Sequence, residues 1–88
     1  MATATTSKAM AATYTQLTTA STGYALIYNP VGNGQTFRIY NGASAPAVTV
    51  DTYMDLAPDE AFQRTSDITD HLWGYFADGS TKKVVITE

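Results

Sequence analysis

Apolar and polar residues alternate along most of the chain. In AVTVDTYMDL (47–56), Val48, Val50, Thr52, Met54 and Leu56 share one face, and Thr49, Asp51, Tyr53 and Asp55 take the other. A period of two predicts a half-buried β-strand. QTFRIYNG (35–42) sets Phe37 and Ile39 against Arg38 and Tyr40. GYALIYN (23–29) sets Tyr24, Leu26 and Tyr28 against Ala25 and Ile27. HLWGYFA (71–77) sets Leu72, Gly74 and Phe76 against His71, Trp73 and Tyr75, and TKKVVITE (81–88) puts Val84 and Ile86 on one face. TYTQLTT (13–19) and AFQRT (61–65) complete a set of about seven short strands, rich in the Tyr, Thr, Val and Ile that favour pleated structure.

The breaks between these segments are turn chemistry. Pro30-Val31-Gly32-Asn33-Gly34 and Gly42-Ala43-Ser44-Ala45-Pro46 interrupt two of them, and in Ala57-Pro58-Asp59-Glu60 the proline presets φ at the second turn position. Ser66-Asp67-Ile68-Thr69-Asp70 is polar and loop-like, with Asp67 suited to cap one helical turn. Asp78-Gly79 predicts a type I′ hairpin joining 71–77 to 81–87 as an antiparallel pair. Gly74, inside a strand, predicts the close approach of a ring or a backbone. No amphipathic helical pattern exceeds two turns. The fold class expected is all-β, a small antiparallel β-sandwich or β-barrel. Residues 1–12 are mostly Ala, Thr and Ser, with Lys8 and, after the initial Met1, Met10 as the one large apolar side chain, and read as an N-terminal extended arm ahead of one β domain over 13–88.

Size and charge narrow the function classes. A domain of 88 residues has little core to spare, and without cysteine it has no disulfide or thiolate metal site. Self-association or docking on a partner is the remaining common source of stability. No run of about 18 apolar residues suggests a membrane span, and the first residues lack the apolar stretch of a signal peptide. Synthesis in the cytoplasm is therefore expected. Residues 1–50 hold no acid, only Lys8 and Arg38, whereas all eight acids fall in 51–88 beside Arg64, Lys82 and Lys83, for a net charge of −3. No basic patch exists to displace phosphate counterions, so nucleic acid is not an expected partner.

Candidate chemistry is sparse. His71 follows Asp70, with Asp67 nearby, and a histidine–carboxylate pair beside a hydroxyl is raw material for nucleophilic catalysis. No serine sits in a G-x-S-x-G elbow, so the pair reads as a strand-edge histidine after a turn acid. Asp51, Asp55, Asp59 and Glu60 could ligate calcium in principle, but Asp51 and Asp55 would stand about 13 Å apart on a strand. They read as a solvated acidic face. Val31-Gly32-Asn33-Gly34 is a turn, too short for a phosphate loop. No catalytic residue, cofactor or metal is expected. The aromatic residues are the richer signal. Tyr14, Tyr24, Tyr28, Tyr40, Tyr53, Trp73 and Tyr75, with Met10 in the arm, are candidate interface residues, because Tyr and Trp anchor protein interfaces. The alternatives are that they fill a thin core or stack on sugar.

Three stretches carry a resemblance. Tyr53-Met54-Asp55-Leu56-Ala57-Pro58-Asp59-Glu60-Ala61-Phe62, His71-Leu72-Trp73-Gly74-Tyr75-Phe76-Ala77-Asp78-Gly79 and the closing Val84-Val85-Ile86-Thr87-Glu88 resemble strand ends of small tailed-phage virion proteins, and Ile39-Tyr40-Asn41 resembles a strand of their first half. The pattern spans roughly 23–88. Asp59 stands where glycine is usual. The resemblance implies a structural component of a phage virion, most simply a capsid decoration (cement) protein seated between capsomers on the capsid surface, with the major capsid protein as partner. It also implies a homotrimer, since icosahedral lattices offer threefold seats. A neck or tail component and a carbohydrate-binding or host-attachment module are the alternatives.

Overall fold

A computed structural model describes residues 5–19, 23–65 and 70–88. These residues form eight strands: β1 (Thr5–Ala9), β2 (Thr15–Gln16), β3 (Ala25–Tyr28), β4 (Phe37–Gly42), β5 (Met54–Leu56), β6 (Ala61–Arg64), β7 (His71–Phe76) and β8 (Lys83–Thr87). They form two antiparallel sheets, ordered β1-β8-β3-β6 (the first sheet) and β2-β7-β4-β5 (the second). The chain is therefore all-β, a small two-sheet sandwich.

The alternation read from the sequence is what closes it. Ala25, Ile27, Val84 and Ile86 point inward from the first sheet, and Phe37, Ile39, Leu56, Leu72 and Phe76 from the second. Met10 and Leu17, from the connections, complete the core. Phe37 and Phe76 sit at its centre with ring centroids 5.0 Å apart, a tilted pair.

Three expectations change. First, β7 and β8 are not a hairpin. β7 pairs with β2 and β4, and β8 with β1 and β3, so the two lie in different sheets. The turn closes one residue early, with the Gly79 N–H donated to the Phe76 carbonyl at 2.8 Å, and only Gly79 has positive φ. Asp78 instead accepts the Ser80 N–H at 3.0 Å, which holds its carboxyl below the ordinary range. Crossing to the other sheet sets Val84 and Ile86 against Leu72 and Phe76 across the core; a tight hairpin would have set them side by side.

Second, the strand expected over 47–56 is regular only in β5. Its earlier part turns at Ala47–Val50, where the Val50 N–H bonds the Ala47 carbonyl at 3.0 Å, and leaves Val48 exposed. Third, the arm expected over 1–12 is, from Thr5 to Ala9, a strand of the chain's own first sheet, and Met10 is 3% exposed in the core. The ladder along β8 supplies its hydrogen bonds, and burial of Met10 anchors it. The loop expected at 66–70, with Asp67 as a cap, lies outside the described residues except for Asp70.

The turn after β5 is type II-like. The Glu60 N–H bonds the Ala57 carbonyl at 3.1 Å, and Asp59 has φ 71°. That is the left-handed position that favours glycine. Aspartate tolerates it here with its backbone N–H 2.7 Å from the Asn29 carbonyl oxygen and its carboxylate 2.6 Å from the Tyr28 hydroxyl.

Candidate interaction surfaces

The aromatic residues divide between the two outer faces. On the second sheet, β4 sends Arg38 and Tyr40 outward, and β7 sends His71, Trp73 and Tyr75. This face is roofed by the chain itself. The Tyr75 hydroxyl bonds the Val48 carbonyl at 3.3 Å, the Trp73 Nε1–H bonds the Gly42 carbonyl at 2.8 Å, and the Arg38 guanidinium lies 4.4 Å from the Tyr53 ring centroid. Residues 43–53 thus leave the sheet to cover its outer aromatics, which is why the alternation over 47–53 produces no strand.

Beneath that roof lies a second aromatic cluster. Tyr14 packs edge-on against Tyr75 at 4.7 Å and Tyr40 at 6.1 Å, and Arg38 donates to the Tyr75 hydroxyl at 3.2 Å. Tyr14 is 5% exposed, and its hydroxyl has no partner among the described residues. Burial pushes its pKa up, and the neighbouring Tyr75 adds to the shift. Burial works against the charge on Arg38, but the Tyr75 hydrogen bond and the fields of Tyr53, Tyr75 and Asp55 outweigh it and raise its pKa.

The first sheet has no such roof among the described residues. Its outward positions are Tyr24, Leu26 and Tyr28 ahead of and along β3, Val85 and Thr87 on β8, Ala61 and Gln63 on β6, and Thr5, Ser7 and Ala9 on β1. Lys83 is the one charged residue among these strand positions, and the Asp59 carboxylate sits beside them on the Tyr28 hydroxyl. Tyr24 is 41% exposed.

Of the sequence candidates, Met10 therefore belongs to the core, and Tyr14 and Tyr75 are buried under the chain's own loop. Tyr40, Tyr53 and Trp73 are partly covered beside them. Only Tyr24 and Tyr28 lie on the open face. The structure thus separates residues that the sequence had grouped together.

The other candidate groups are dispersed. His71 Nδ1 lies 3.0 Å from the Thr18 carbonyl oxygen, an acceptor that places the ring proton on Nδ1. The Thr18 hydroxyl accepts the Leu72 N–H at 3.2 Å, so His71 is part of an anchor between β7 and the segment that follows β2. No hydrogen bond joins it to the Asp70 carboxylate among the described residues. The described residues hold no group of three or more His, Cys, Asp or Glu arranged to bind a metal.

A cavity of about 460 Å³ opens between the β5 and β6 edges, lined by Ile39, Asn41, Tyr53, Met54, Phe62 and Leu72 among others. Met54 opposes Ile39 in the register and so faces inward, yet it is half exposed. The sandwich gapes there.

Sequence reasoning missed two polar anchors. Asn29 is fully buried and donates from Nδ2 to the Gln35 and Leu56 carbonyls at 2.9 and 3.0 Å, while accepting from Asn33 at 3.1 Å. Arg64 is fully buried too, with Nε and a terminal nitrogen each 2.9 Å from the Gly23 and Asp70 carbonyl oxygens. Asn before Pro looks like turn chemistry, and an Arg ending a strand looks like a solvated rim. Only their three-dimensional setting marks them as anchors. Comparison with protein-family models, with curated proteins and with solved structures finds no match.

Proposed function

We propose that the chain is a non-enzymatic structural component of a phage virion, a capsid decoration protein that stabilises the head by binding the major capsid protein between capsomers. The strand-end resemblance suggests the class. The observation that carries the reading is the outer face of the first sheet, where Tyr24, Leu26, Tyr28, Ala61 and Val85 lie together, with Lys83 as the one charge on these strand positions and the Asp59 carboxylate held on the Tyr28 hydroxyl beside them. A sheet face poor in charge and carrying aromatic and aliphatic side chains has the composition of an interface centre. The roofed second sheet supports this over glycan binding, because stacking on sugar needs a row of accessible rings. The engagement of His71 with Thr18 supports it over hydrolysis.

Quantitative mass spectrometry of purified particles carrying this protein tests the proposal. Expected are copies in the hundreds that separate with heads when heads and tails are resolved. Recovery in the tail or neck fraction, at a few copies per particle, would assign it there. Absence from particles would overturn the virion reading. Residues Tyr24 and Tyr28 replaced together by Ser should weaken attachment to heads while circular dichroism stays that of a β fold.

A further inference from the structure

We infer that β1 is a self-complementary edge through which two copies of this chain pair, antiparallel, about a twofold axis at Ser7. The inference goes beyond the virion reading and does not depend on it.

Among the described residues, β1 is the longest open edge of the sandwich. The other edge strands, β2, β5 and β6, have 2, 3 and 4 residues, and β1 has 5, all exposed. Short edges resist pairing with other chains, and a lysine facing the incoming strand is a common guard. The lysine in β1 does not serve that way. Lys8 turns inward, and its Nζ donates to the Gln16 carbonyl at 2.7 Å. The strand contains no proline. Its remaining side chains are Thr, Ser and Ala, small enough to admit a neighbour.

The register determines which groups are open. Met10 donates its N–H to the Lys82 carbonyl at 3.1 Å, one step beyond the pairs from Ala9↔Lys83 to Thr5↔Thr87. In an antiparallel ladder the N–H and C=O of one residue point the same way, and successive residues alternate. Lys8 and Thr6 therefore bond β8 as Met10 does. Thr5, Ser7 and Ala9 turn both of their backbone groups to the free edge.

A twofold axis at Ser7 sets Ser7 against Ser7 of the second copy and Thr5 against its Ala9. Every open group then meets an open group, giving six backbone hydrogen bonds. Lys8 falls opposite Thr6 of the second copy, so no like charges meet. A twofold interface requires this self-complementarity, and a threefold one cannot use it. Edge pairing thus favours a dimer over the trimer that the resemblance implies. Five residues span about 17 Å, so the contact is well below the roughly 800 Å² per partner of a standard interface. The pair is weak and concentration-dependent.

Sedimentation equilibrium of the full chain from about 10 μM to about 1 mM, a range matched to weak association, tests this. Expected is a monomer–dimer equilibrium, with slowed amide exchange at Thr5, Ser7 and Ala9 as the dimer forms. The variant Ser7→Pro removes only an edge-facing N–H, which an edge strand tolerates. It should remain monomeric with a wild-type circular dichroism spectrum. Should that variant misfold, Ser7→Asp and Ser7→Lys decide the matter. Each alone sets like charges opposite one another and should weaken the dimer about tenfold or more, and mixing the two should restore it as a heterodimer. A wild-type chain that stays monomeric at the highest concentration, a trimeric mass, a folded Ser7→Pro that dimerises like wild type, or a charge-swapped mixture without heterodimer would each overturn the inference. Because particles play no part in these measurements, a failure here leaves the virion reading to its own test.

Discussion

Gly74 on β7 lies directly under the ring of Phe37 on β4. The position a β-carbon would occupy is 2.7 Å from Phe37 Cε2 and 2.9 Å from the Arg38 carbonyl oxygen, inside van der Waals contact for both. The bare backbone of one strand thus admits the largest inward side chain of its neighbour. Gly74→Ala has to displace a buried ring or a strand, and overpacking of this kind costs about 1–3 kcal/mol. Urea denaturation followed by Trp73 fluorescence measures it. An unchanged midpoint would mean that the ring is not confined.

Asn29→Ala should destabilise the fold by about 2–3 kcal/mol, because its fully buried amide holds two backbone carbonyls. Its side chain satisfies the Gln35 carbonyl, just ahead of β4, and the Leu56 carbonyl, at the end of β5. Loss of the amide leaves both acceptors without their donor. The same denaturation assay reads the effect, and a loss below about 0.5 kcal/mol would show that water replaces the amide at both carbonyls.

Tyr14→Phe should be neutral or stabilising by up to about 1 kcal/mol at pH 7, because the hydroxyl it removes is buried without a partner among the described residues. The same variant has a pH signature. The folded-state pKa of Tyr14 is raised above its ordinary value of 10.0, chiefly by burial. A raised folded pKa contributes stability that is complete below the ordinary value and lost as pH rises through the folded one. Wild type should therefore lose stability above about pH 10, and Tyr14→Phe should lose less. Denaturation midpoints at pH 8 and at alkaline pH give the comparison; identical losses in both proteins would rule out Tyr14 as a source.

Tyr75→Ala should cost about 3 kcal/mol, as truncation of a buried aromatic does, and should free the loop over 43–53. The ring packs on Tyr14 and holds Val48 through its hydroxyl. Faster amide exchange in 43–53, together with the lower denaturation midpoint, is the expected result. A variant of wild-type stability that fails to associate would instead return Tyr75 to an interface.

The sequence by itself determined the local chemistry of this protein. The inward set Ala25, Ile27, Phe37, Ile39, Leu72, Phe76, Val84 and Ile86 follows from alternation, because successive strand residues point to opposite faces whatever the partner strand. The need for a close approach at Gly74 was legible for the same reason, since a missing β-carbon is a local fact. Partner choice was not legible. Asp78-Gly79 permits a hairpin, but whether β7 and β8 pair or face each other depends on which arrangement buries Leu72, Phe76, Val84 and Ile86 together. Here the sandwich wins by setting them across the core. The alternation over 47–53 misled because a periodic pattern states which residues can share a face and not what they share it with; Val48 and Tyr53 close over the second sheet's outer aromatics. Likewise, the tyrosines look alike in sequence. Tertiary structure decided which ones the chain covers with its own loop and which it leaves on the first sheet, because burial depends on every segment that passes over a residue.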